Sequence, residues 1–312
     1  RKNSKINKLT ILTKTIVNCS GPWLNNSSEN IFDKFHILKT TRLVKGSHIV
    51  VPKLYQEDKA FIFQNIDRRI IFFIPYQNNY TLIGTTDIEF KGSPEDAKIT
   101  SQEIKYLFNL VFLYFKTTLS KKDIVWTFSG VRSLYDDKSE LAQKITRDYV
   151  IESQSKENET LINIFGGKLT TYRKLSENVM IKIQDLLKTQ KKPWTSNSPL
   201  PGGNFEVKQK DFKLKQLLKK FPFLSISVID RLFSAYGNEI DKLFKGIKSK
   251  AELGIDFGHG LFENEVKWLI NNEWATNTED ILWRRSKLGL KFSNNQKLIL
   301  EKWINNYSFN LK

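Results

Sequence analysis

The chain has 312 residues, and its 50 Lys and Arg against 33 Asp and Glu give a net charge of +17. An apolar content of 40% and an aromatic content of 12% exclude a wholly disordered protein. One cysteine excludes a disulfide scaffold and a multi-cysteine metal site, and three scattered histidines argue against a histidine metal cluster. No apolar run approaches the roughly 20 residues of a membrane span. The composition therefore indicates a folded protein with one large domain or two smaller ones.

The first part of the chain is predicted to be mostly strands. Residues 9–17 are rich in β-branched side chains and run into a small-residue turn at 18–23, where Pro22 suits the first position of a helix. Thr100 and Glu103 are typical of a helix start, and the apolar spacing continues to residue 115. Between the turn and this helix, strands in an antiparallel or mixed sheet are predicted at 40–52, 60–65, 69–75 and 80–86.

The remainder of the chain combines three strands with a helical tail. The strands are predicted at 123–132, 146–152 and 161–165, with a polar loop at 153–160. A helix then runs to about residue 187, and the stretch 191–203, with its prolines and glycines, is the clearest linker. Beyond the linker, the pattern predicts short amphipathic helices at 213–220, 227–236, 239–244, 263–271, 278–284 and 294–307.

The turn after the last of these strands is the most informative local feature. Gly166 and Gly167 let backbone amides approach a ligand, and Thr170 or Thr171 can cap the following helix. The free N–H groups of a helix start favour an anion, and Lys168 adds a cation there. This turn can hold a phosphate or the electron-rich edge of a reduced flavin, or it can be a plain strand-to-helix connection.

Arg132 and Arg147 lie at the predicted ends of neighbouring strands. Two guanidinium groups at one sheet edge can converge on a phosphate through forked, charge-assisted hydrogen bonds. Alternatively, each arginine pairs with a nearby acid, as Arg147 can with Asp148 or Asp136.

His48 lies in an apolar predicted strand, where a histidine is more often a structural core residue than a catalyst. If its side chain faces a cleft, a pKa near neutrality suits it to proton transfer. Neither a Gly-x-Gly-x-x-Gly string after a strand nor a phosphate-loop signature occurs in the sequence. Pattern alone therefore indicates a two-part protein with a place for phosphate.

An ordered set of segments spans nearly the whole chain, at 17–23, 42–48, 83–87, 125–132, 145–149, 165–173, 273–275 and 280–289. This set resembles the FAD-dependent, quinone-linked glycerol-3-phosphate dehydrogenases, within the D-amino-acid-oxidase-like flavoenzymes. The resemblance implies an α/β (α+β) chain with a partial FAD-binding fold, a β-rich substrate domain and a C-terminal all-helical domain. Its implied boundaries are 1–190 for the oxidoreductase domain (flavin portions 1–35 and 160–190, substrate domain 36–159), 191–203 for the linker and 204–312 for the helical domain.

The resemblance also implies a reaction, namely oxidation of the C2 alcohol of sn-glycerol 3-phosphate to dihydroxyacetone phosphate. A hydride would pass to FAD and the electrons to a membrane quinone. Arg132, Arg147 and Lys168 would bind the substrate phosphate. His48 would accept the hydroxyl proton, with Arg132 and Lys168 beside it as the other catalytic candidates. The expected flavin contacts are Ser20, Gly21, Trp23, Gly166, Gly167, Lys168, Leu169 and Thr170.

The sequence departs from the family pattern at two places. The glycine-rich dinucleotide motif that the family has near its N-terminus is absent, and residue 1 is Arg. Ser133 stands where the family usually has proline, which we expect to loosen a turn. We therefore expect this chain to be the C-terminal part of the enzyme, from a partial, decaying or split gene. On that view it is inactive alone, or depends on a separate N-terminal polypeptide or a homodimer.

Two alternatives differ in electron acceptor or in class. A glycerol-3-phosphate oxidase of the same superfamily would hand electrons to oxygen. A non-enzymatic basic protein would bind nucleic acid or acidic lipid with a steep salt dependence, although the lysine excess also fits base composition in an AT-rich genome. The leading hypothesis has no nucleic-acid partner and predicts a cytoplasmic protein in peripheral contact with the inner face of the cytoplasmic membrane.

Overall fold

The computed structural model describes residues 10–24, 35, 40–136 and 148–310, with side chains to residue 307. The chain divides into two compact units, Arg1–Pro193 and Trp194–Lys312. The described residues of the first unit form two β-sheets and, after residue 40, two α-helices, and the described part of the second unit is helical apart from one isolated bridge. The predicted α/β class is confirmed.

A six-stranded antiparallel sheet is built around one long strand in the first unit. The central strand is β2 (Thr41–Pro52), which pairs with β5 and β6 on one side and with β7 on the other. The remaining strands of this sheet are β3 (Phe61–Gln64), β4 (Ile70–Tyr76), β5 (Tyr80–Gly84), β6 (Ile88–Glu89) and β7 (Trp126–Tyr135).

Helix α1 (Ser101–Phe115) covers one face of this sheet. It begins at Thr100 as predicted, where the Thr100 hydroxyl and the Glu103 carboxylate cap each other's backbone N–H groups. The buried residues packed between helix and sheet include Ile49, Val51, Ile71, Phe73, Ile83, Leu107 and Val111. Because side chains alternate along a strand, the residues between these core positions of β2 point to the opposite face, which we call the front face.

A three-stranded sheet forms the other layer of the first unit. Strand β1 (Thr15–Asn18) runs parallel to β9 (Glu159–Phe165), and β8 (Val150–Lys156) pairs antiparallel with β9. Helix α2 (Tyr172–Leu187) follows β9 and buries Val179 against Ile162 and Ile164. The carboxyl ends of β1 and β9 therefore meet at the same edge of this sheet.

The second unit packs its helices around one apolar core. These helices are α3 (Lys210–Lys220), α4 (Ile226–Tyr236), α5 (Ile240–Leu243), α6 (Glu263–Glu273) and α7 (Asn294–Asn310), with a π-helical turn at Asp280–Arg285. Inside the core, the Arg231 guanidinium donates to both Glu265 carboxylate oxygens at 2.7 Å, and the Tyr236 hydroxyl donates to the same carboxylate at 2.9 Å. No helix in the described part of the chain has the length and apolarity needed to cross a membrane.

Two sequence predictions of local structure are wrong. The polar loop predicted at 153–160 is the hairpin that joins β8 to β9, because exposed polar side chains occupy β8 and only two residues form the turn. The strand predicted at 123–132 lies later, at Trp126–Tyr135, which places Arg132 inside a strand rather than at its end. Residues 150–156 lie within the range predicted for the substrate domain and pair with β9; the domain boundaries themselves stay a prediction.

Candidate active site

His48 and Arg132 lie together on the front face of the six-stranded sheet. In the β2–β7 register, His48 opposes Phe128, Gly46 opposes Gly130, and Val44 opposes Arg132. The His48 and Phe128 rings stack with centroids 4.7 Å apart and an interplanar angle of 8°. Two of the candidate catalytic residues thus come from neighbouring strands of one surface.

Two glycines provide the space that these side chains occupy. A Cβ atom on Gly84 would lie 2.3 Å from Cδ2 of His48, and a Cβ on Gly46 would lie 2.6 Å from Nη1 of Arg132. Both distances are far below van der Waals contact, so only glycine at these positions leaves room for the imidazole and the guanidinium where they lie. Gly130 differs, because a Cβ there would meet no atom of the described residues within 4 Å. The guanidinium therefore covers Gly46, and the neighbouring surface above Gly130 is open to the described part of the chain.

The Arg132 guanidinium is held at one edge by the segment that follows β5. Its Nη1 donates to Oδ1 of Asp87 at 2.8 Å, and its Nη2 donates to the Thr85 hydroxyl at 3.3 Å. The Arg132 side chain is 33% exposed and that of Asp87 is 14% exposed. Arg132 does pair with an acid, as the alternative from sequence supposed, but the acid is remote in sequence.

His48 has a lowered proton affinity. Burial of the ring, and then the positive charge of Arg132, lower the pKa of His48 from 6.5 to about 4. The expectation of a pKa near neutrality is therefore wrong for this structure, and the imidazole is neutral at pH 7. Its Nδ1 atom is buried and has no hydrogen-bond partner among the described residues.

A buried ionic network that sequence reasoning missed lies behind the front face. Lys45 and Ser47 alternate with Gly46 and His48 along β2, and both donate to the Glu103 carboxylate of α1, at 2.9 and 2.8 Å. The Thr86 hydroxyl donates to the same carboxylate at 2.7 Å. Burial opposes the charge of Glu103, but the hydrogen bonds from Lys45, Thr100, Thr86 and Ser47 outweigh it and lower the pKa of Glu103 to about 2.

The two glycine turns predicted to contact flavin lie at the shared edge of β1 and β9. The Asn18 side chain donates to the Asn163 side chain at 3.1 Å and ties the two strands together just before this edge. Beyond β1, the Ser20 hydroxyl donates back to Asn18 at 2.6 Å, and Gly21 has a φ of +57°. The indole N–H of Trp23 donates to Glu95 at 2.7 Å.

The turn after β9 approaches the strand that carries Arg132. A Cβ on Gly166 would lie 2.9 Å from the Asp148 carbonyl oxygen and 3.6 Å from the backbone nitrogen of Tyr135. The Ser133 hydroxyl donates to the carbonyl oxygen of Gly21 at 3.1 Å. Ser133 therefore links β7 to the Gly21 turn, and the expected loosening of a turn is wrong because residue 133 lies within a strand.

The residues at this edge fit a flavin. Gly166 and Gly167 have φ angles of +68° and +96°, which L side chains rarely adopt. They lead into a 3-10 turn at Leu169–Thr171 that begins α2. The backbone N–H groups of Leu169 and Thr170 have no partner among the described residues, and the Leu169 side chain is 90% exposed. Open amides beside an uncovered apolar side chain suit a ligand that is both polar and aromatic.

No contact between the candidate cations is found among the described residues. Arg132 and His48 share the front face, and Lys168 lies exposed in the turn after Gly167. Arg147 lies outside the described residues. Strands β7 and β8 belong to different sheets, so these two strands are not neighbours. A shared site for Arg132 and Arg147 stays a prediction.

Comparison with known families adds a second kind of observation. A family model described as "FAD dependent oxidoreductase" matches residues 2–172. This chain belongs to the FAD-dependent oxidoreductase family. A second model, "C-terminal domain of alpha-glycerophosphate oxidase", matches residues 193–306.

Curated relatives within this family are longer than the chain. The chain is 40% identical over 296 residues to the aerobic glycerol-3-phosphate dehydrogenase of Escherichia coli (strain K12), covering 94% of this chain and 58% of that protein. It is 36% identical over 299 residues to the D-erythritol 1-phosphate dehydrogenase of Brucella abortus (strain 2308), covering 95% of this chain and 59% of that protein. The chain thus spans about three fifths of each.

A solved structure shares the fold. The X-ray structure of the glycerol-3-phosphate dehydrogenase from Bacillus halodurans complexed with FAD aligns with a TM-score of 0.74 at 22% identity. The alignment covers 95% of this chain and 62% of that one. It supports the FAD-dependent oxidoreductase fold predicted from sequence.

Proposed function

We propose that the protein containing this chain oxidises the C2 alcohol of sn-glycerol 3-phosphate to dihydroxyacetone phosphate with FAD. The observation that carries the proposal is that His48 and Arg132 lie on the same face of the sheet, with the Arg132 guanidinium held by Asp87 and Thr85, in a chain of this family. Oxidation of this alcohol requires a base for the hydroxyl proton, and the phosphate on the adjacent carbon requires a cation close to that base. The relative named for D-erythritol 1-phosphate supports phosphorylated polyols as the wider substrate class.

We assign the substrate phosphate to Arg132. Asp87 and Thr85 occupy one edge of its guanidinium, and the remaining N–H groups have no partner among the described residues. An arginine presents a rigid fork of donors that matches phosphate oxygens. Lys168, and Arg147 from outside the described residues, are proposed as further cations for the same phosphate.

We assign the hydroxyl proton to Nε2 of His48. The Nδ1 atom is buried, which leaves Nε2 as the nitrogen that a ligand can approach. A dianionic phosphate at Arg132 would offset the positive charge that lowers the pKa of His48. Substrate binding would thereby raise the proton affinity of the base at the moment when a proton must be accepted.

FAD, when bound, supplies the acceptor for the hydride from C2 of the substrate. We propose that Ser20, Gly21 and Trp23 hold it from one side. From the other side we propose the turn of Gly166, Gly167, Lys168, Leu169 and Thr170. The open amides of Leu169 and Thr170 at the start of α2 would favour negative charge on a ligand there.

The electron acceptor separates two candidate functions. A quinone acceptor, with the protein in peripheral contact with a membrane, is our first proposal. An oxidase that uses oxygen is our second proposal. It is supported by the match of residues 193–306 to a family model named for an alpha-glycerophosphate oxidase. Peroxide release under air without quinone would identify the oxidase, and quinone-dependent turnover without peroxide would identify the dehydrogenase.

Anaerobic titration of the FAD-loaded protein with glycerol 3-phosphate tests the function. We expect bleaching of the oxidised-flavin absorbance with stoichiometric dihydroxyacetone phosphate. Glycerol is the matched control, because it has the same alcohol without the phosphate and should bleach the flavin far more slowly. An unchanged flavin spectrum with glycerol 3-phosphate would contradict the proposal.

A further inference from the structure

The segment between β5 and β6 connects the buried network to the front face. Ser47 donates its backbone N–H to the Thr86 hydroxyl at 2.9 Å, and that hydroxyl donates to Glu103 at 2.7 Å. Thr86 is fully buried by these contacts. Its neighbours Thr85 and Asp87, on either side in sequence, are the residues that contact Arg132. The backbone that carries Thr85 and Asp87 is therefore held in place by the hydrogen bonds of Thr86 on the opposite face of the sheet.

The contact between Asp87 and Arg132 is poorly placed to stabilise the fold. It lies on the front face, where the Arg132 side chain is 33% exposed, and partly exposed ion pairs contribute little to stability. Its geometric effect is large, because an arginine side chain that is held at no point samples many rotamers. With Nη1 on Asp87 and Nη2 on Thr85, the guanidinium lies over Gly46, two residues along the strand from His48.

We propose that Asp87 is a positioning residue for Arg132. Together with Thr85 it holds one edge of the guanidinium over Gly46 and leaves the other N–H groups directed to the substrate phosphate beside His48. This inference rests on the proposed function, and it adds a residue to which the sequence analysis assigned no role. A carboxylate at this position offsets part of the positive charge of Arg132 but holds its guanidinium in one orientation. Less side-chain entropy of Arg132 is then lost when the substrate binds.

A mutant cycle on the FAD-loaded enzyme that contains this chain tests the proposal. The variants are Asp87→Asn, Arg132→Met and the double variant, with calorimetric dissociation constants for glycerol 3-phosphate measured beside KM and kcat. We expect Asp87→Asn to raise the dissociation constant and KM about tenfold while kcat changes less than about threefold. In the Arg132→Met background, Asp87→Asn should cause no further loss, because Asp87 acts through Arg132.

Glu89→Gln is the matched control. Glu89 forms a similar pair with Arg42, with 3.0 Å between Nη2 and Oε2, two residues along the chain from Asp87. It should leave the dissociation constant within about twofold. If Asp87→Asn fails to fold, Thr85→Val removes the second contact with little change of shape and should raise the dissociation constant about threefold.

The outcomes separate the two proposals. If Arg132→Met binds glycerol 3-phosphate as tightly as the wild type, the phosphate assignment within the proposed function is wrong. If Arg132→Met binds weakly but Asp87→Asn and Thr85→Val bind normally, the positioning role is wrong. An equal loss on Asp87→Asn with and without Arg132 would also overturn it, because a general structural effect would not depend on the arginine.

Discussion

His48 gains its properties from neighbours on two adjacent strands, β5 and β7. Phe128 of β7 covers its ring, Gly84 of β5 leaves the space in which the ring lies, and Arg132 supplies the nearby charge. The result is an imidazole that is neutral over the whole physiological range. A histidine with so low a pKa can act as a base near neutral pH only if its pKa is raised. The negative charge of a phosphate bound at Arg132 would raise it.

The lowered pKa of His48 predicts a pH dependence of stability. Between about pH 4 and pH 6.5 the unfolded chain binds a proton at His48 that the folded chain does not, so the free energy of unfolding falls as the pH falls through this window. His48→Asn should make that free energy less dependent on pH in the same window. Denaturant unfolding at several pH values measures the free energy of unfolding of both proteins. If that free energy changed equally with pH in the variant and the wild type, the lowered pKa of His48 would be contradicted.

Gly84→Ala should displace the His48 ring, because the new Cβ would lie 2.3 Å from Cδ2. A misplaced catalytic group commonly costs on the order of 100-fold, and we expect a loss of that size in kcat/KM. Gly130→Ala is the matched control for folding, since a Cβ there meets no atom of the described ranges within 4 Å. It should change the free energy of unfolding by less than about 0.5 kcal/mol. Full activity of Gly84→Ala would show that the ring position is not needed.

Sequence reasoning proposed His48 and Arg132 as site residues and did not select Asp87 and Glu103, the acids that lie nearby in the structure. A histidine and an arginine within family segments can be selected from the sequence. Asp87 and Glu103 cannot, because their partners lie 45 and 58 residues away and the pairing depends on strand register. The pKa of His48 was mispredicted for the same reason, since its main causes are burial and a charge on another strand.

At the scale of elements, α1 contributes more than an apolar cover for the sheet. Its first turn brings Glu103 against β2, where the carboxylate accepts from Lys45, Ser47 and Thr86. The Lys45 and Glu103 side chains are 6% and 1% exposed. A pair so deeply buried is stable only while both charges are present.

Glu103→Ala should therefore be strongly destabilising. It leaves the Lys45 ammonium buried without its anion, and breaking such a pair costs about 3–5 kcal/mol. Asp123→Ala is a useful control, because Asp123 also accepts from a backbone N–H and a hydroxyl at a turn start but is only partly buried and holds no buried cation among the described residues. Chemical denaturation should show a much larger loss for Glu103→Ala. Similar losses for both variants would contradict a special role of the buried network.

Most elements of the first unit followed from the sequence, and the exceptions have physical causes. Residues 153–156 are polar enough to resemble a loop, yet they form β8 because β9 offers a full set of backbone partners. Family membership of the chain was also recognisable from ordered motifs. The pairing of β8 with β9 was not, since polar edge strands carry little pattern.

At the scale of the whole molecule, the two units have separate cores. The second unit buries residues from Leu217 to Ile304 in one apolar cluster, with the Arg231–Glu265 pair inside it. A core of this size and continuity is typical of a segment that folds independently. The domain boundaries predicted from sequence remain a prediction, and expression of the second unit tests them.

Residues 194–312 expressed alone should unfold cooperatively on heating. Arg231→Met should lower the Tm of this fragment sharply, because it leaves Glu265 buried at 2% side-chain exposure without its cation. Lys242→Met is the control, since the Lys242–Glu239 pair is exposed. Circular dichroism melting curves measure all three. A fragment without a cooperative transition would contradict independent folding.

The alternation along β2 restricts how this part of the gene can vary in length. Adding or deleting one codon within β2 ahead of Lys45 would shift the register of the rest of the strand by one residue. The Lys45 ammonium would then point to the front face, and the His48 imidazole would point toward α1. Substitutions at either face can be accommodated one at a time, but frame-preserving indels there alter both faces together. Length variation should therefore concentrate in the hairpin tips, and comparison of orthologous genes would reveal β2 as a segment of fixed span.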